Sequence, residues 1–367
     1  MSVLTFTAGL VAIAAVLWDA VETVLLPRTV TRNFRLARAY FRSTWNGWTR
    51  LAQLVKGAGR RERVLSVYGP LSLVGLLSVW AVTLILGFAV LHWSIGSRLV
   101  SAGGGSAQFG DDVYMSGTTF FTLGLGDVHP ISRVARILTV IEGGLGFGFL
   151  AIVIAYFPVL YQSFSRREVQ LTLLDAWAGS PPAAAEILRR LAAAGQLNQL
   201  DDFFAEWEYW CSEILEGHIS YPLVAFFRSQ HQKQSWVSAL TAILDASALV
   251  IACVDGASPW RARMTFAIAR HTAVDLSQVL NATIGMTADR LPESELEQMF
   301  QQLEAAGLRL DRSAAAAVKL RDLRSSYEPY VTGLSRTLMM PLPPWWLPQP
   351  GRDNWQTSPR RLADAHL

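Results

Sequence analysis

The stretch Thr122-Leu123-Gly124-Leu125-Gly126-Asp127 decides how the rest of this 367-residue chain is interpreted. Glycine alternates with a larger residue here, and glycine readily adopts backbone dihedrals that other residues resist. The alternation therefore allows successive carbonyl groups to turn in the same direction. Long apolar segments flank the stretch on both sides, where a globular protein would have an ordinary loop.

The composition is typical of a membrane protein. Hydrophobic residues make up 51% of the chain and charged residues 17%, and the apolar residues concentrate before about residue 163. The net charge of +3 is too small to indicate a nucleic-acid partner. Cys211 and Cys253 lack partners at the spacing of a metal site, so we expect two reduced, buried thiols.

Three segments are long and apolar enough to span a bilayer, which takes roughly twenty residues of helix. The clearest is 68–95, which contains no charged residue. A second segment, 133–161, is interrupted only by Arg136 and Glu142. The third is 4–26, for which a signal peptide is the alternative. That alternative needs a basic start and a small-residue cleavage site, and the segment has neither.

Two acids lie in the last turns of the third segment. Asp19 and Glu22 are three residues apart and so share one face of a helix. We expect them to pair with Arg28 or Arg32 at the membrane interface.

The charges between the spans predict an orientation. Residues 28–63 carry ten Arg or Lys and one acid, whereas 96–132 carry one Arg and three Asp. The positive-inside rule places 28–63 in the cytoplasm and the glycine-rich stretch outside. The N-terminus is then outside, and everything after about residue 164 is cytoplasmic. We expect a multi-pass protein of the plasma or inner membrane.

Residues 33–55 combine aromatic and basic side chains at near-helical spacing. One interpretation is a helix that lies flat on an anionic membrane surface, aromatic side down. The other is a basic helix that packs on the protein's own cytoplasmic domain. In the first case, anionic lipid is a partner of the basic 28–63 segment.

The residues around the opening stretch resemble those of a known family. Asp111 to Phe121 looks like the pore helix of potassium channels that have two transmembrane helices and a pore loop, and 122–127 looks like their filter. Val128-His129-Pro130 resembles the exit from the channel mouth. The chain is identified as a prokaryotic member with a GLGD filter. The resemblance implies an outer helix at 68–95, a pore helix at 111–121 and an inner helix at 133–163.

The resemblance also implies roles for the filter residues. Rings of backbone carbonyls replace the hydration shell of potassium in such channels. Potassium is therefore the permeant ion and no other cofactor is expected. Four copies around an axis close the pore in this family, which implies a homotetramer. The carbonyl donors are Thr122, Leu123, Gly124 and Leu125, with Gly126 as a second permissive glycine and Asp127 at the outer mouth.

Two departures from the family pattern affect selectivity. Leu125 replaces the usual filter tyrosine, and Tyr114-Met115 stand where many members have a tryptophan pair. Both changes predict more apolar bracing and a less rigid filter. A weakly selective potassium and sodium channel is therefore an alternative, as is a non-conducting membrane sensor or scaffold with the channel fold.

The inner helix contains candidates for a gate. Gly146 lies at the spacing of the family's hinge glycine, and we interpret it as a bending point. Gly143 and Gly144 are interpreted as positions of close helix packing. Pro158 removes a helix hydrogen bond and could splay the helices near the cytoplasmic end. Glu142 is the one acid in the span, either facing the pore vestibule or bonding behind the filter.

The remaining chain predicts helices throughout 165–340. Residues 236–254 are apolar enough for an additional span, but their polar side chains favour a buried helix of a soluble domain. The tail, 341–367, is Pro-rich and predicted to be extended. No nucleotide-binding, EF-hand, zinc or catalytic pattern is present, so an enzyme is not expected and the domain's ligand is unnamed.

The predicted fold class is an all-α membrane protein. A potassium-channel-like pore domain occupies 67–164, an N-terminal transmembrane helix occupies 1–27, and a basic linker, 28–66, joins them. An all-α cytoplasmic domain follows at 165–340.

Overall fold

The structure is a computed structural model of the chain. It describes residues 3–24, 36–96, 99–101, 108–229, 233–256, 259–285 and 289–348. The chain divides into two compact units, Met1–Gln162 and Ser163–Leu367, which are called the N-terminal and C-terminal units below.

The N-terminal unit contains four long helices, one short helix and a small ribbon. The helices are α1 (Val3–Val24), α2 (Leu36–Leu54), α3 (Ala58–Ser94), α4 (Phe109–Phe120) and the first part of α5 (Arg133–Ala178). The ribbon pairs β1 (Leu99–Ser101) antiparallel with β2 (Val128–Pro130). The helix α3 begins before the predicted residue 68, and α5 extends beyond the predicted residue 163.

Asp19 joins three helices of this unit. Its carboxylate accepts hydrogen bonds from Ala37 N, at 3.1 and 3.2 Å, and from Trp80 Nε1 at 3.0 Å. A carboxylate at the start of α2 also interacts favourably with the helix dipole. The side chain is buried. The predicted partners Arg28 and Arg32 lie outside the described residues.

The aromatic side of α2 packs on α3. The Trp45 ring lies 4.7 Å from that of Tyr68, Trp48 Nε1 donates to Val64 O at 2.9 Å, and Tyr68 Oη donates to Phe41 O at 3.0 Å. Trp45 is buried. The interpretation that placed this aromatic side down on the membrane is therefore wrong, because α3 already covers it.

Four helices in the described part of the chain are long and apolar enough to cross a membrane: α1, α3, α5 and Trp236–Cys253. The last of these is wholly buried within the C-terminal unit, whereas only 11% of the apolar window of α5 is buried. Full burial among other helices supports the interpretation of 236–253 as a core helix. The all-α prediction with membrane-spanning helices is confirmed.

The C-terminal unit packs helices around that central helix. Its elements after α5 are α6 (Ala184–Ala193), α7 (Leu200–Ser220), α8 (Trp236–Cys253), α9 (Pro259–Val279), α10 (Glu293–Ala305), α11 (Ala314–Ser325) and α12 (Glu328–Leu338), with two 3-10 turns at Leu197–Gln199 and Pro222–Phe226. The core is rich in aromatic residues, and the Trp207, Trp210 and Trp236 side chains are almost fully buried.

The described part of the tail is packed against this unit. Trp345 is 1% exposed, and its carbonyl accepts a hydrogen bond from Ala185 N at 3.0 Å. The guanidinium groups of Arg290 and Arg324 lie 5.7 and 5.3 Å from its ring. The described residues of the Pro-rich segment, 341–348, contain no helix or strand, and Trp345 belongs to the core of the C-terminal unit.

Candidate functional site

The site begins with the short helix α4, whose first turn has a reciprocal cap. The Gln108 side chain accepts a hydrogen bond from the backbone of Asp111, and Asp111 Oδ2 accepts one from Gln108 N at 2.8 Å. Such a capping box satisfies amides that the helix itself leaves unpaired. The carboxylates predicted at this N-terminus, Asp111 and Asp112, lie in the first turn.

The glycine-rich stretch folds back onto the other end of α4. Thr122 N donates to Thr119 O at 3.0 Å. Leu123 N and Gly124 N both donate to Thr118 O, at 2.8 and 3.3 Å. These bonds fix the start of the stretch to the last turn of the helix, so any displacement of α4 also displaces the stretch.

The backbone of the stretch alternates in handedness. Thr122, Gly124 and Gly126 have φ values of 59°, 57° and 77°, whereas Leu123 and Leu125 are not among the residues with positive φ. Glycine adopts this region at no steric cost, which accounts for two of the three positions. The alternating sign of φ is compatible with carbonyls turned in one direction, which stays a prediction.

The two leucines of the stretch are largely uncovered in the single chain. Leu123 and Leu125 are each 62% exposed, and a Cβ built on Gly124 or Gly126 would meet no atom within 4 Å. Large exposed apolar side chains so close together are unusual on the surface of a soluble monomeric protein. The stretch therefore presents an apolar surface in the single chain.

Asp127 lies at the outer end and is held from two sides. Tyr114 Oη, on α4, donates to Asp127 Oδ2 at 2.9 Å, and Val128 N donates to Oδ1 at 3.1 Å. His129 Nδ1 lies 3.3 Å from Gly126 O. The prediction that Tyr114 makes the bracing more apolar is wrong, because its hydroxyl supplies a polar brace.

Helix α5 contacts the C-terminal end of α4 at Gly146. A Cβ on Gly146 would lie 2.0 Å from Phe120 O, the carbonyl at the C-terminal end of α4. No side chain fits in that space, so glycine is required for packing. The sequence favoured packing for Gly143 and Gly144 instead. A Cβ on Gly143 would lie 3.7 Å from Thr119 Cγ2, an ordinary contact, whereas a Cβ on Gly144 would meet nothing within 4 Å in the single chain. The role of Gly146 as a hinge stays a prediction.

One turn before Gly146, Glu142 also contacts α4, through a polar group. Its Oε1 is hydrogen-bonded to Ser116 Oγ, and its Oε2 lies 3.5 Å from His92 Nε2. All three side chains have no exposed surface. Of the two predicted locations for Glu142, the structure shows the one behind the glycine-rich stretch.

Pro158 is not part of this cluster. It lies twelve residues along α5 from Gly146, about 18 Å at the rise of an α-helix, and it is exposed within the subunit. The helix continues through it to Ala178. Its predicted role near a cytoplasmic gate stays a prediction.

Sequence reasoning missed His92 and the cross-helix role of Ser116. A signal for His92 was present, because it is the one titratable side chain in the charge-free run apart from a tyrosine, Tyr68. Polar residues within membrane spans usually have a partner there. No comparable signal marked Ser116, since serine is frequent in such helices.

Comparisons with known proteins agree with this geometry. Residues 78–162 match a family model described as an ion channel. The chain is also similar to the uncharacterized membrane protein YdjJ of Bacillus subtilis (strain 168), with 25% identity over 193 residues, or 52% of this chain and 55% of the relative. The matched segment thus spans about half the length of that relative. No solved structure matches the chain.

The segment that matches the family model includes the residues of this site. It begins within α3 and ends within α5, so it includes α4, the glycine-rich stretch and Glu142. The N-terminal unit therefore contains a segment similar to the channel family's model.

Proposed function

We propose that four copies of this chain form a channel that conducts potassium passively across the cell membrane. The observation that carries the proposal is the alternating sign of φ in 122–126, since it suits a row of carbonyls facing one axis. Potassium would be coordinated by the carbonyls of Thr122, Leu123, Gly124 and Leu125 in place of water. Asp127, braced by Tyr114, would attract cations at the outer mouth.

The tetramer is supported by what one subunit leaves uncovered. A single chain supplies one glycine-rich stretch and one α5, and a pore requires walls on all sides. Most of the apolar window of α5 is exposed in the subunit, which in water would be unfavourable. Neighbouring subunits and lipid would cover it.

Orientation and lipid contacts follow from charge. We propose that the N-terminus and the filter mouth face outside and that the C-terminal unit is cytoplasmic. Arg38, Arg42 and Arg50 on α2 are exposed. Anionic headgroups are the ligands that such a basic surface would bind at the cytoplasmic leaflet.

The gate is proposed to lie in α5. Bending near Gly146 and splaying of the helices at Pro158 would open the cytoplasmic end. Glu142 would transmit the position of α5 to the filter through α4, because it is part of α5 and is hydrogen-bonded to Ser116 of α4.

Ion flux from purified protein in liposomes tests the function. We expect potassium flux from the wild type and none from Gly124→Asp, because the aspartate cannot adopt the filter backbone at φ 57° without strain. The matched control is Gly195→Asp, at a glycine with φ 67° and no neighbour within 4 Å in the C-terminal unit. Its flux should equal that of the wild type.

Reversal potentials separate potassium selectivity from the weakly selective alternative. Exposed, unbraced Leu125 is the observation that favours weak selectivity. With potassium and sodium in opposed gradients, a selective pore reverses near the potassium equilibrium potential. A reversal near zero would support a potassium and sodium channel. Absence of flux at every pH, voltage and ligand would support a sensor or scaffold.

A further inference from the structure

The strongest unassigned feature of the molecule is the buried cluster of His92, Ser116 and Glu142. Each residue comes from a different helix of the N-terminal unit: α3, α4 and α5 respectively. The cluster therefore links the three helices at one point, and none of its side chains is exposed. The inference drawn from it rests on the proposed function and concerns how the filter is held.

The single hydrogen of the Ser116 hydroxyl constrains the protonation of Glu142. Ser116 Oγ is within hydrogen-bonding distance of Ile85 O, at 2.8 Å, and of Glu142 Oε1. A serine hydroxyl has one hydrogen, so it can donate to only one of these acceptors. Both contacts are hydrogen bonds only if one of the two partners supplies a second hydrogen. The backbone carbonyl of Ile85 has none, so the hydrogen must come from the carboxyl group of Glu142.

A protonated Glu142 accounts for both contacts of Ser116 Oγ. Its hydroxyl donates to Ser116 Oγ, and the serine hydroxyl in turn donates to Ile85 O. The remaining carboxyl oxygen, Oε2, then lies 3.5 Å from His92 Nε2. An ionised Glu142 would instead leave a short contact between two oxygens at Ile85 and a buried charge, which is costly.

The other charged groups near the cluster do not offer Glu142 a counter-charge. On α4, Asp112 is buried one turn before Ser116 and carries the same sign as a carboxylate. On α5 itself, Arg136 is exposed and its Nε donates to Pro130 O at 3.1 Å. His92 is the one base that contacts Glu142 among the described residues.

The cluster is in register with the packing at Gly146. Glu142 and Gly146 are one turn apart on α5, and they contact Ser116 and Phe120, also one turn apart on α4. The carbonyls of Thr118 and Thr119, between those two contacts, anchor the filter amides. The cluster thus holds the part of α4 on which the filter depends.

We propose that Glu142 is a positioning residue that acts as a neutral hydrogen-bond donor to Ser116 and so keeps α4 and the filter in the conducting arrangement. Loss of the proton breaks the chain of hydrogen bonds and releases α4 from α5. The cluster then makes conduction depend on pH, with flux falling as the pH rises.

Infrared spectroscopy of the full chain in lipid vesicles tests the protonation directly and does not need the channel to conduct. The wild type should show the carbonyl stretch of a protonated carboxylic acid that is absent from Glu142→Gln. The same band should shift in Ser116→Ala, because its hydrogen-bond acceptor is lost. Identical spectra of the wild type and Glu142→Gln in this region would overturn the proposal.

Flux measurements in the same vesicles test the positioning role. Glutamine can donate to Ser116 but cannot ionise, so Glu142→Gln should conduct like the wild type and lose the fall in flux at high pH. Glu142→Ala and Ser116→Ala should each lose on the order of tenfold in flux, the effect of an unpaired buried polar group. The control Ser78→Ala removes a hydroxyl that bonds only within α3, to Val74 O at 2.9 Å, and should behave like the wild type.

The outcomes separate this proposal from the proposed function. If the wild type has no flux but the infrared band disappears in Glu142→Gln, the channel function fails and the neutral donor stands. If Glu142→Gln loses flux as severely as Glu142→Ala, the cluster needs a charged Glu142 paired with His92, and the proposal is wrong.

Discussion

Gly146 lies directly against the carbonyl oxygen of Phe120, where an added Cβ would be 2.0 Å from that oxygen. The contact joins the middle of α5 to the C-terminal end of α4, which carries the filter. The neighbouring atom is backbone, so it cannot move aside as the end of a flexible side chain could. Packing alone is thus enough to require glycine here, in addition to any part it has in gating.

Gly146→Ala should therefore displace α4 and disturb the filter. Overpacking of a close contact typically costs about 1–3 kcal/mol, and we expect reduced flux together with a lower unfolding temperature of the purified channel. Gly144→Ala is the control, because a Cβ at Gly144 meets nothing within 4 Å in the subunit and alanine favours a helix. Equal flux and stability for both variants would show that the contact is unimportant.

Tyr114→Phe should weaken the outer end of the filter. The change removes the hydroxyl that donates to Asp127 at 2.9 Å and retains the ring. We expect reversal potentials to shift toward weaker potassium selectivity, since Leu125 offers no hydroxyl of its own. Asp127→Asn retains an acceptor for Tyr114 and should shift selectivity less. The opposite ranking would mean that the charge of Asp127 matters more than the brace.

The alternating backbone of 122–126 could be predicted from the sequence because it depends on residue type at fixed positions, with glycine at 124 and 126. The cluster behind it could not. His92, Ser116 and Glu142 meet only because three helices far apart in sequence pack at one point, and local pattern carries no information on that. Likewise, the amphipathic pattern of α2 shows that its aromatic side is buried but not that α3 covers it.

Asp19→Ala should release the start of α2. The carboxylate accepts hydrogen bonds from Ala37 N and Trp80 Nε1, and their loss leaves two donors unpaired at a cost of about 1–3 kcal/mol each. We expect faster tryptic cleavage at Arg38 and Arg42, which are exposed but helical. Asp19→Asn keeps an acceptor oxygen and should be intermediate. Unchanged cleavage in Asp19→Ala would show that α2 is held by its aromatic side alone.

Trp345→Ala should destabilise the C-terminal unit by about 3–5 kcal/mol, the usual cost of truncating a buried aromatic residue. The two cysteines of the chain, Cys211 and Cys253, are both buried in this unit, so their reaction with a thiol reagent reports its unfolding in the intact protein. Trp260 is 61% exposed, and Trp260→Ala should change the midpoint little. Similar midpoints for the two variants would mean that the tail segment contributes nothing.

His218 should make the C-terminal unit sensitive to acid. Burial and the positive charge of Arg167 lower the pKa of His218, the hydrogen bond to Ile214 O opposes them, and the net result is a pKa of about 3. Nδ1 lies 2.8 Å from Ile214 O, and Nε2 lies 3.4 Å from Arg167 Nη1. A neutral imidazole that donates through Nδ1 and accepts at Nε2 satisfies both contacts.

The direction of the pH effect follows from where the proton binds. Below the ordinary histidine pKa of about 6.5 the unfolded chain takes up a proton and the folded chain does not, so stability falls as the pH decreases toward about 3. At pH 5 the loss amounts to about 2 kcal/mol relative to pH 7.5. His218→Gln retains a donor and an acceptor without titrating, so it should lose less stability over the same interval.

The measurement is the denaturant midpoint for exposure of Cys211 and Cys253, read with a disulfide reagent that reacts at acidic pH. Comparing the pH dependence of the midpoint in the two proteins removes the contribution of the other titratable groups, which both proteins contain. Parallel pH dependence in wild type and variant would show that the pKa of His218 does not change on folding.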